Sequence, residues 1–222
     1  MMQRWWFLVV CGALTCVSIA AAQVELSVGP AVGMNYNIHT GRDVATSTRG
    51  FGLVFGGRAD LSLSQTLGFL TTVSFDNRIG KFSDTGSDGG IDFSRDVSLT
   101  VAYLSIEPLF KYTIPDRPVY FVTGPGIGFP VQGKSETTTT IVTPGYSFPS
   151  GYATQSANTA VENIYTRFEW KVGAGFTYKI DKKTIWNFHL LYSRGFTNVA
   201  KGLDWQLNSV TLVSSFEFTL GR

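Results

Sequence analysis

Cysteine is nearly absent from this sequence: it has only Cys11 and Cys16, both close to the amino terminus. They lie in an apolar run that extends from Trp5 to Ile19 after the basic Arg4. The run ends at Ala20-Ala21-Ala22, and this order is typical of a secretory signal peptide cleaved after Ala22. We predict a signal peptide over residues 1–22 and one domain over residues 23–222. A mature chain without cysteine has no disulfide, no thiolate nucleophile and no cysteine-ligated metal.

Charge and long apolar runs are also scarce. Only 15% of the residues are charged, against about 25% in an ordinary soluble domain. The net charge is +2 and no basic block is present, which excludes nucleic acid as a partner. After the amino-terminal run, no apolar stretch reaches the roughly 20 residues that a spanning helix needs. Aromatic residues make up 14% of the chain and glycine is frequent, which suits a β-sheet surface that faces lipid.

The segment Tyr103–Gly128 reads as two long strands joined by a short turn that contains Pro115 and Pro118. Apolar and polar side chains alternate along the first strand, which is the period of a strand with one apolar and one polar face. On the second strand the polar face narrows to Gly124, Gly126 and Gly128. We interpret the apolar face as lipid-facing and the other face as the lining of a narrow barrel.

The same alternation marks eight strands, near residues 24–38, 50–63, 67–79, 97–112, 119–131, 164–180, 184–194 and 207–220. Short and long connections alternate between them, as periplasmic turns and external loops do in outer-membrane barrels. We predict an all-β fold, an eight-stranded antiparallel transmembrane up-and-down β-barrel with short periplasmic turns and long external loops. The connection over residues 132–163 is long enough to contain a further hairpin. A soluble barrel with its apolar face inward is disfavoured, because the bulky side chains would not fit a small lumen.

A family resemblance rests on YLSIEPLFKY (103–112) followed by RPVYFVTGPGIG (117–128). These segments resemble two strands of the outer-membrane β-barrel family that is widespread in Bacteroidetes, which includes PorT-like proteins and is related to OmpA/OmpX-type small barrels. The matching positions are Tyr103, Leu104, Ile106, Leu109, Lys111, Tyr112, Gly124, Pro125 and Gly128, and the acidic and proline positions are shifted to Glu107 and Pro108. The resemblance implies insertion into the outer membrane of a Gram-negative bacterium by the barrel-assembly machinery, with outer-membrane lipids around it.

Charged residues on the polar faces are the first candidate functional group. The predicted lumen-facing charges are Arg58, Asp60, Asp76, Glu107, Lys111, Arg167, Glu169, Lys171, Lys179 and Glu217. An eight-stranded barrel has just enough interior for its own side chains, and confined charges require partners. We therefore favour an ion-paired plug over a polar channel for ions or small solutes.

Aromatic residues on the apolar faces form a second group. Those predicted to lie at the lipid interface are Tyr36, Tyr112, Trp170, Tyr178, Trp186 and Tyr192. Aromatic girdles at both membrane surfaces are typical of outer-membrane barrels.

Enzymatic chemistry has little support in the sequence. His39 and His189 are the only histidines. His189 and Ser193 would share one face of a strand, as the His–Ser pair of a lipid A hydrolase does, but a spacing of four positions along a strand is too wide for a direct hydrogen bond. No histidine or carboxylate cluster has metal-ligand spacing. We predict no catalytic residue, no cofactor and no metal.

The function that follows is a structural or interaction role, with the external loops as the working surface and a possible protein partner there. Tyr146, Phe148 and Tyr152 in the long connection are candidate anchors. One alternative is a small passive porin-like channel. A second, which the resemblance implies, is a PorT-like component of a secretion apparatus.

Overall fold

The computed structural model describes residues 24–42 and 48–220, so the predicted signal peptide and its cleavage site lie outside the described residues. These residues form nine antiparallel strands: β1 (Glu25–Thr40), β2 (Arg49–Ser62), β3 (Leu67–Asp88), β4 (Ile91–Thr113), β5 (Val119–Ile141), β6 (Thr154–Ala160), β7 (Arg167–Lys179), β8 (Thr184–Gly195) and β9 (Gln206–Leu220). In the described part of the chain, no helix is long and apolar enough to cross a membrane.

Eight of the strands close into a ring. Neighbours in sequence pair along β1 to β5 and along β7 to β9, and the ring closes through β5–β7 and β1–β9. The predicted eight-stranded barrel is therefore confirmed. β6 lies outside the ring and pairs only with β5 among the described strands. The long connection predicted over residues 132–163 therefore contains an additional strand, β6.

Two segments expected to be loops are instead continuous sheet. β3 and β4 remain paired up to Asp88 and Ile91, and β5 continues to Ile141. We call residues 80–88, 91–100, 132–141 and 154–160 the sheet extension. Its glycine, serine and threonine content resembles that of a loop, but Thr138 and Thr140 lie opposite Ser156 and Thr154 with hydroxyl oxygens 3.0 and 3.2 Å apart. Outside the membrane both faces of a strand meet water, so the alternation that marks a strand disappears.

Within the ring, inward and outward residues alternate as predicted. On β3, Leu70, Thr72 and Ser74 are buried, whereas Phe69 and Val73 are exposed. The large apolar side chains therefore project outward, and the inward side chains are mainly polar, charged or glycine. This arrangement reverses that of a soluble domain, and it matches a barrel in lipid, where the closed sheet satisfies every backbone group along the span.

Candidate functional site

The lumen contains all but one of the predicted inward charges. Arg58, Asp60, Asp76, Glu107, Lys111, Arg167, Glu169, Lys171 and Glu217 are buried. Lys179 is exposed, contrary to the prediction. It is the last residue of β7 and lies at the rim, where the turn to β8 begins, so its side chain reaches solvent.

In the upper part of the lumen, the half nearer the external end, Asp76 is the residue that the other polar side chains contact. It accepts hydrogen bonds from Asn35 Nδ2 at 2.6 Å, Arg78 Nε at 2.7 Å and Arg167 Nη2 at 3.1 Å. Arg167 also donates to Glu169 Oε1 at 2.8 Å. Sequence reasoning missed Arg78, although it shares the inward parity of Asp76 two residues earlier. Arg78 lies inside the predicted strand 67–79, so the alternation that identified Asp76 could have identified it as well.

Lys171 links the upper and lower parts. Its Nζ donates to Glu107 Oε1 at 2.5 Å and lies 3.2 Å from Glu169 Oε1. Below it, Arg58 lies 3.1 Å from Glu217 and donates to Tyr120 at 3.0 Å. Lys111 forms an ion pair with Asp60 and lies above the Tyr120 ring.

The buried charges balance. The described lumen holds five buried cations, Arg58, Arg78, Lys111, Arg167 and Lys171, and five buried anions, Asp60, Asp76, Glu107, Glu169 and Glu217. A desolvated charge is tolerated when it is paired, and each of these ten has an opposite charge within 4 Å. The network therefore fills the lumen without net charge.

Two apolar clusters also contribute to the filled lumen. Leu70, Leu109, Val122 and Leu191 pack together with Tyr120 in the half nearer the short turns. At the opposite end, a second cluster contains Val101, Tyr103, Val199, Ala200, Trp205 and Leu207. Trp205 donates its Nε1–H to Nδ1 of the buried His39 at 2.9 Å and stacks on that ring. These clusters were not predicted, because their members come from β3, β4, β5, β8, β9 and the β8–β9 connection. Apolar contacts therefore close the external end of the lumen, whereas in the half nearer the short turns apolar side chains and paired charges lie at the same levels.

The glycines of β5 make room for this network. Gly124, Gly126 and Gly128 pair with Lys171, Glu169 and Arg167 on β7. A Cβ atom on Gly126 would lie 3.0 Å from Glu169 Cγ and 3.2 Å from Lys171 Cε. The glycine at position 126 thus leaves the space that the side chains of Glu169 and Lys171 occupy.

We expect Gly126→Val to lower the free energy of unfolding by about 1–3 kcal/mol, the usual cost of overpacking a filled interior. Urea unfolding of the barrel in phosphatidylcholine vesicles measures this change. Gly57→Val is the matched control, because nothing lies within 4 Å of a Cβ atom there. Equal stability of the two variants would contradict a filled lumen at Gly126.

The predicted interfacial aromatic residues all lie on the outward side. Tyr112, Trp170, Tyr178, Trp186 and Tyr192 are exposed and Tyr36 is half-buried. Trp170 and Trp186 donate their indole N–H groups to Thr123 at 3.0 Å and to Ser214 at 2.8 Å on neighbouring strands. Their polar atoms are therefore satisfied without water.

The sheet extension presents polar surface, and its two outer edges, on β6 and on β3 beyond Lys81, have no strand partner among the described residues. Arg95 donates two hydrogen bonds to Asp84 at 2.6 and 3.0 Å, and these bonds hold the pKa of Asp84 below its usual range. Every residue of β6 is exposed. In the connection between β5 and β6, Tyr146 and Tyr152 are exposed and Phe148 is half-buried. The candidate anchors therefore lie beside the extension rather than in a separate loop.

The hydrogen bonds that join β6 to β5 identify which of its groups are free. Ile141 N–H donates to Ala153 O and Val161 N–H donates to Gly133 O. Because bonded pairs alternate in an antiparallel ladder, Gln155, Ala157 and Thr159 bond to β5. The backbone groups of Ser156 and Asn158 then point away from the sheet.

The possible hydrolase pair does not form a catalytic arrangement. His189 Nδ1 lies 2.7 Å from Arg58 Nη1 and 3.3 Å from the Tyr120 hydroxyl, whereas Ser193 bonds to Ser209 at 2.7 Å. Both side chains are buried. Within residues 24–42 and 48–220, no group of three or more His, Cys, Asp or Glu side chains could hold a metal ion.

Comparisons with known proteins agree with this geometry. Residues 21–201 match the family described as outer membrane protein beta-barrel domain. A comparison with curated proteins returned no match.

Similar solved structures are small outer-membrane barrels. Ail, the attachment invasion locus protein of Yersinia pestis, is 13% identical with a TM-score of 0.40, over 87% of this chain and 99% of that chain. OprG from Pseudomonas aeruginosa is 11% identical with a TM-score of 0.41, over 90% and 96%. The outer membrane protease OmpT from Escherichia coli is 8% identical with a TM-score of 0.32, over 89% and 96%.

Proposed function

Since the chain belongs to the outer membrane protein β-barrel domain family, and therefore resides in the outer membrane of a Gram-negative bacterium, we propose that it is a closed anchor whose sheet extension binds another protein. The observation that carries the proposal is β6, an exposed strand with one unpaired edge on a rigid barrel. The role of this protein in a secretion apparatus stays a prediction from the resemblance.

The filled lumen argues against the channel alternative. Paired charges and one apolar cluster fill its centre and its periplasmic half, and a second apolar cluster closes the external end. An ion crossing this interior would have to displace paired charges or enter a desolvated apolar layer, and both steps are costly.

We expect the folded barrel to give no single-channel conductance steps in a planar bilayer. Folding is checked first by the change of gel mobility on heating. Stable and reproducible steps from folded protein would refute the closed lumen and support the passive channel.

The open edge is suited to strand addition. Natural edge strands are usually protected by lysine, proline or bulges. β6 has the sequence TQSANTA and contains neither a charge nor a proline. Its free N–H and C=O groups can bond to an extended segment, and main-chain bonds supply the affinity in this mode of recognition. The neighbouring Tyr146 and Tyr152 can contribute apolar contact.

We expect the double variant Ser156→Pro/Asn158→Pro to remove partner binding while the barrel folds normally. The backbone N–H groups that proline removes point to the open edge, and the one side-chain hydrogen bond lost, Ser156 to Thr138, is exposed. A photo-cross-linking residue at Thr154, irradiated in native outer membranes, should give one discrete adduct that the double variant loses.

The control is Asp84→Asn, on the far side of the extension from β6, which should retain the adduct. An adduct that survives the two prolines would exclude pairing at this edge. If the protein that carries the cross-linking residue at Thr154 but neither proline gives no adduct, the binding role is contradicted, whatever the conductance result.

A further inference from the structure

A groove on the outward face of β1–β3 ends at two basic side chains. It has a volume of about 400 Å³ and is lined by Tyr36, Arg49, Gly50, Phe51, Ile79 and Lys81. Most of its surface is apolar, and Tyr36 packs against Phe51 with ring centroids 5.0 Å apart. The two basic side chains therefore lie at the external end of a groove whose other lining is mainly apolar and aromatic.

Arg49 and Lys81 lie at the level where the apolar surface ends. On β2 the outward residues below Arg49 include Phe51, Leu53 and Phe55, and all three are exposed. On β3, the distance from Phe69 to Ile79 along the strand is roughly 33 Å at about 3.3 Å per residue. A tilt of about 40° reduces this to roughly 25 Å, the height of the apolar band of an outer-membrane barrel. Lys81 comes next on that face, so the two cations lie at head-group depth on the external side.

The two cations face one another, and no carboxylate of the described residues lies within 4 Å of either. Arg49 and Lys81 are direct partners in the β2–β3 register, and directly opposed like charges destabilise a sheet. Neither has an ion-pair partner within 4 Å among the described residues. Glu136 exerts a weaker electrostatic effect with Lys81, but its carboxylate is paired with Lys134. The repulsion is relieved when an anion binds between the two side chains.

We propose that this groove binds a phosphorylated, acylated lipid of the outer leaflet. The phosphate lies between Arg49 and Lys81, where a guanidinium can donate two parallel hydrogen bonds and an ammonium one. Tyr36 supplies a further hydroxyl donor at the same rim. An acyl chain follows Phe51 and Ile79 into the membrane. The site would attach the barrel to the lipid layer beside the sheet extension.

Native mass spectrometry of the detergent-solubilised barrel, titrated with diphosphoryl lipid A, tests the proposal. Arg49→Gln/Lys81→Gln should weaken binding about tenfold or more, since both charge-assisted contacts are lost. The control Lys182→Gln/Lys183→Gln removes the same charge from the periplasmic turn and should bind like the wild type. Lipid A without phosphates should bind the wild type as weakly as the first variant binds the intact lipid.

Three results would overturn the site: full affinity in Arg49→Gln/Lys81→Gln, an equal loss in the periplasmic control, or equal binding of wild type to lipid A with and without phosphates. The last comparison needs no substitution, so the proposal stays testable if a variant does not fold. These outcomes are independent of conductance and of cross-linking at β6.

Discussion

Asp76→Asn is expected to lower the free energy of unfolding by about 3–5 kcal/mol, because it breaks a buried ion-pair network. Arg78 loses its ion-pair partner, and Arg167 keeps only Glu169. Asp76 accepts from Arg78 at 2.7 Å and Arg167 at 3.1 Å, and its side chain is almost completely buried. Urea unfolding in phosphatidylcholine vesicles, extrapolated linearly to zero denaturant, gives the change.

The matched control is Asp84→Asn on the same strand. Asp84 also pairs with an arginine, Arg95, but both side chains are partly exposed. Water screens such an exposed ion pair, and the pair therefore contributes little to the free energy of unfolding. The Asp84→Asn variant should unfold almost as the wild type does. Similar stability of the Asp76 and Asp84 variants would mean that water fills the lumen, contrary to the packing described above.

A second variant examines the charge balance itself. Arg78 has Asp76 as its only ion-pair partner within 4 Å among the described residues. Adding Arg78→Leu to Asp76→Asn restores equal numbers of buried charges. The double variant should therefore be more stable than the sum of the two single changes predicts. Additive losses would show that the two residues act independently.

Val73→Arg is expected to destabilise the barrel by about 2–4 kcal/mol relative to Val73→Ala, the cost of an arginine near the bilayer midplane on the lipid face. Val73 is exposed on the outward side of β3, midway between Leu67 and Ile79. The same unfolding measurement in vesicles reports the effect.

Val119→Arg provides the depth control, because Val119 begins β5 at the periplasmic end. There the cost should fall to about 0–1 kcal/mol, since the guanidinium reaches the interface. Equal costs at Val73 and Val119 would mean that the outward face of β3 does not lie in hydrocarbon, and the inside-out assignment would be wrong.

The number of strands and the side of the sheet on which each side chain lies could be predicted from the sequence for one physical reason. Inside the membrane the outward face must be apolar, and a small lumen has no room for a complete row of bulky apolar side chains on every strand. The pattern of Leu104, Ile106 and Phe110 against Ser105 and Glu107 therefore indicates which face is outward. The predicted burial of Glu107, Lys111 and Lys171 rested on the same argument. That periodicity ends where the strands leave the lipid, which is why the sheet extension was taken for loops.

The sequence by itself determined the eight-stranded barrel, most of the inward charges and the outward aromatic residues, because local alternation encodes them. Only the tertiary structure decided the pairings. Asp76 meets Arg167 from four strands away, Trp205 meets His39, and Arg49 stands opposite Lys81. Such contacts depend on strand register and on barrel closure, and no local pattern in a single sequence specifies either one. The open edge of β6 was hidden for the same reason, since an edge exists only relative to the neighbours a strand lacks.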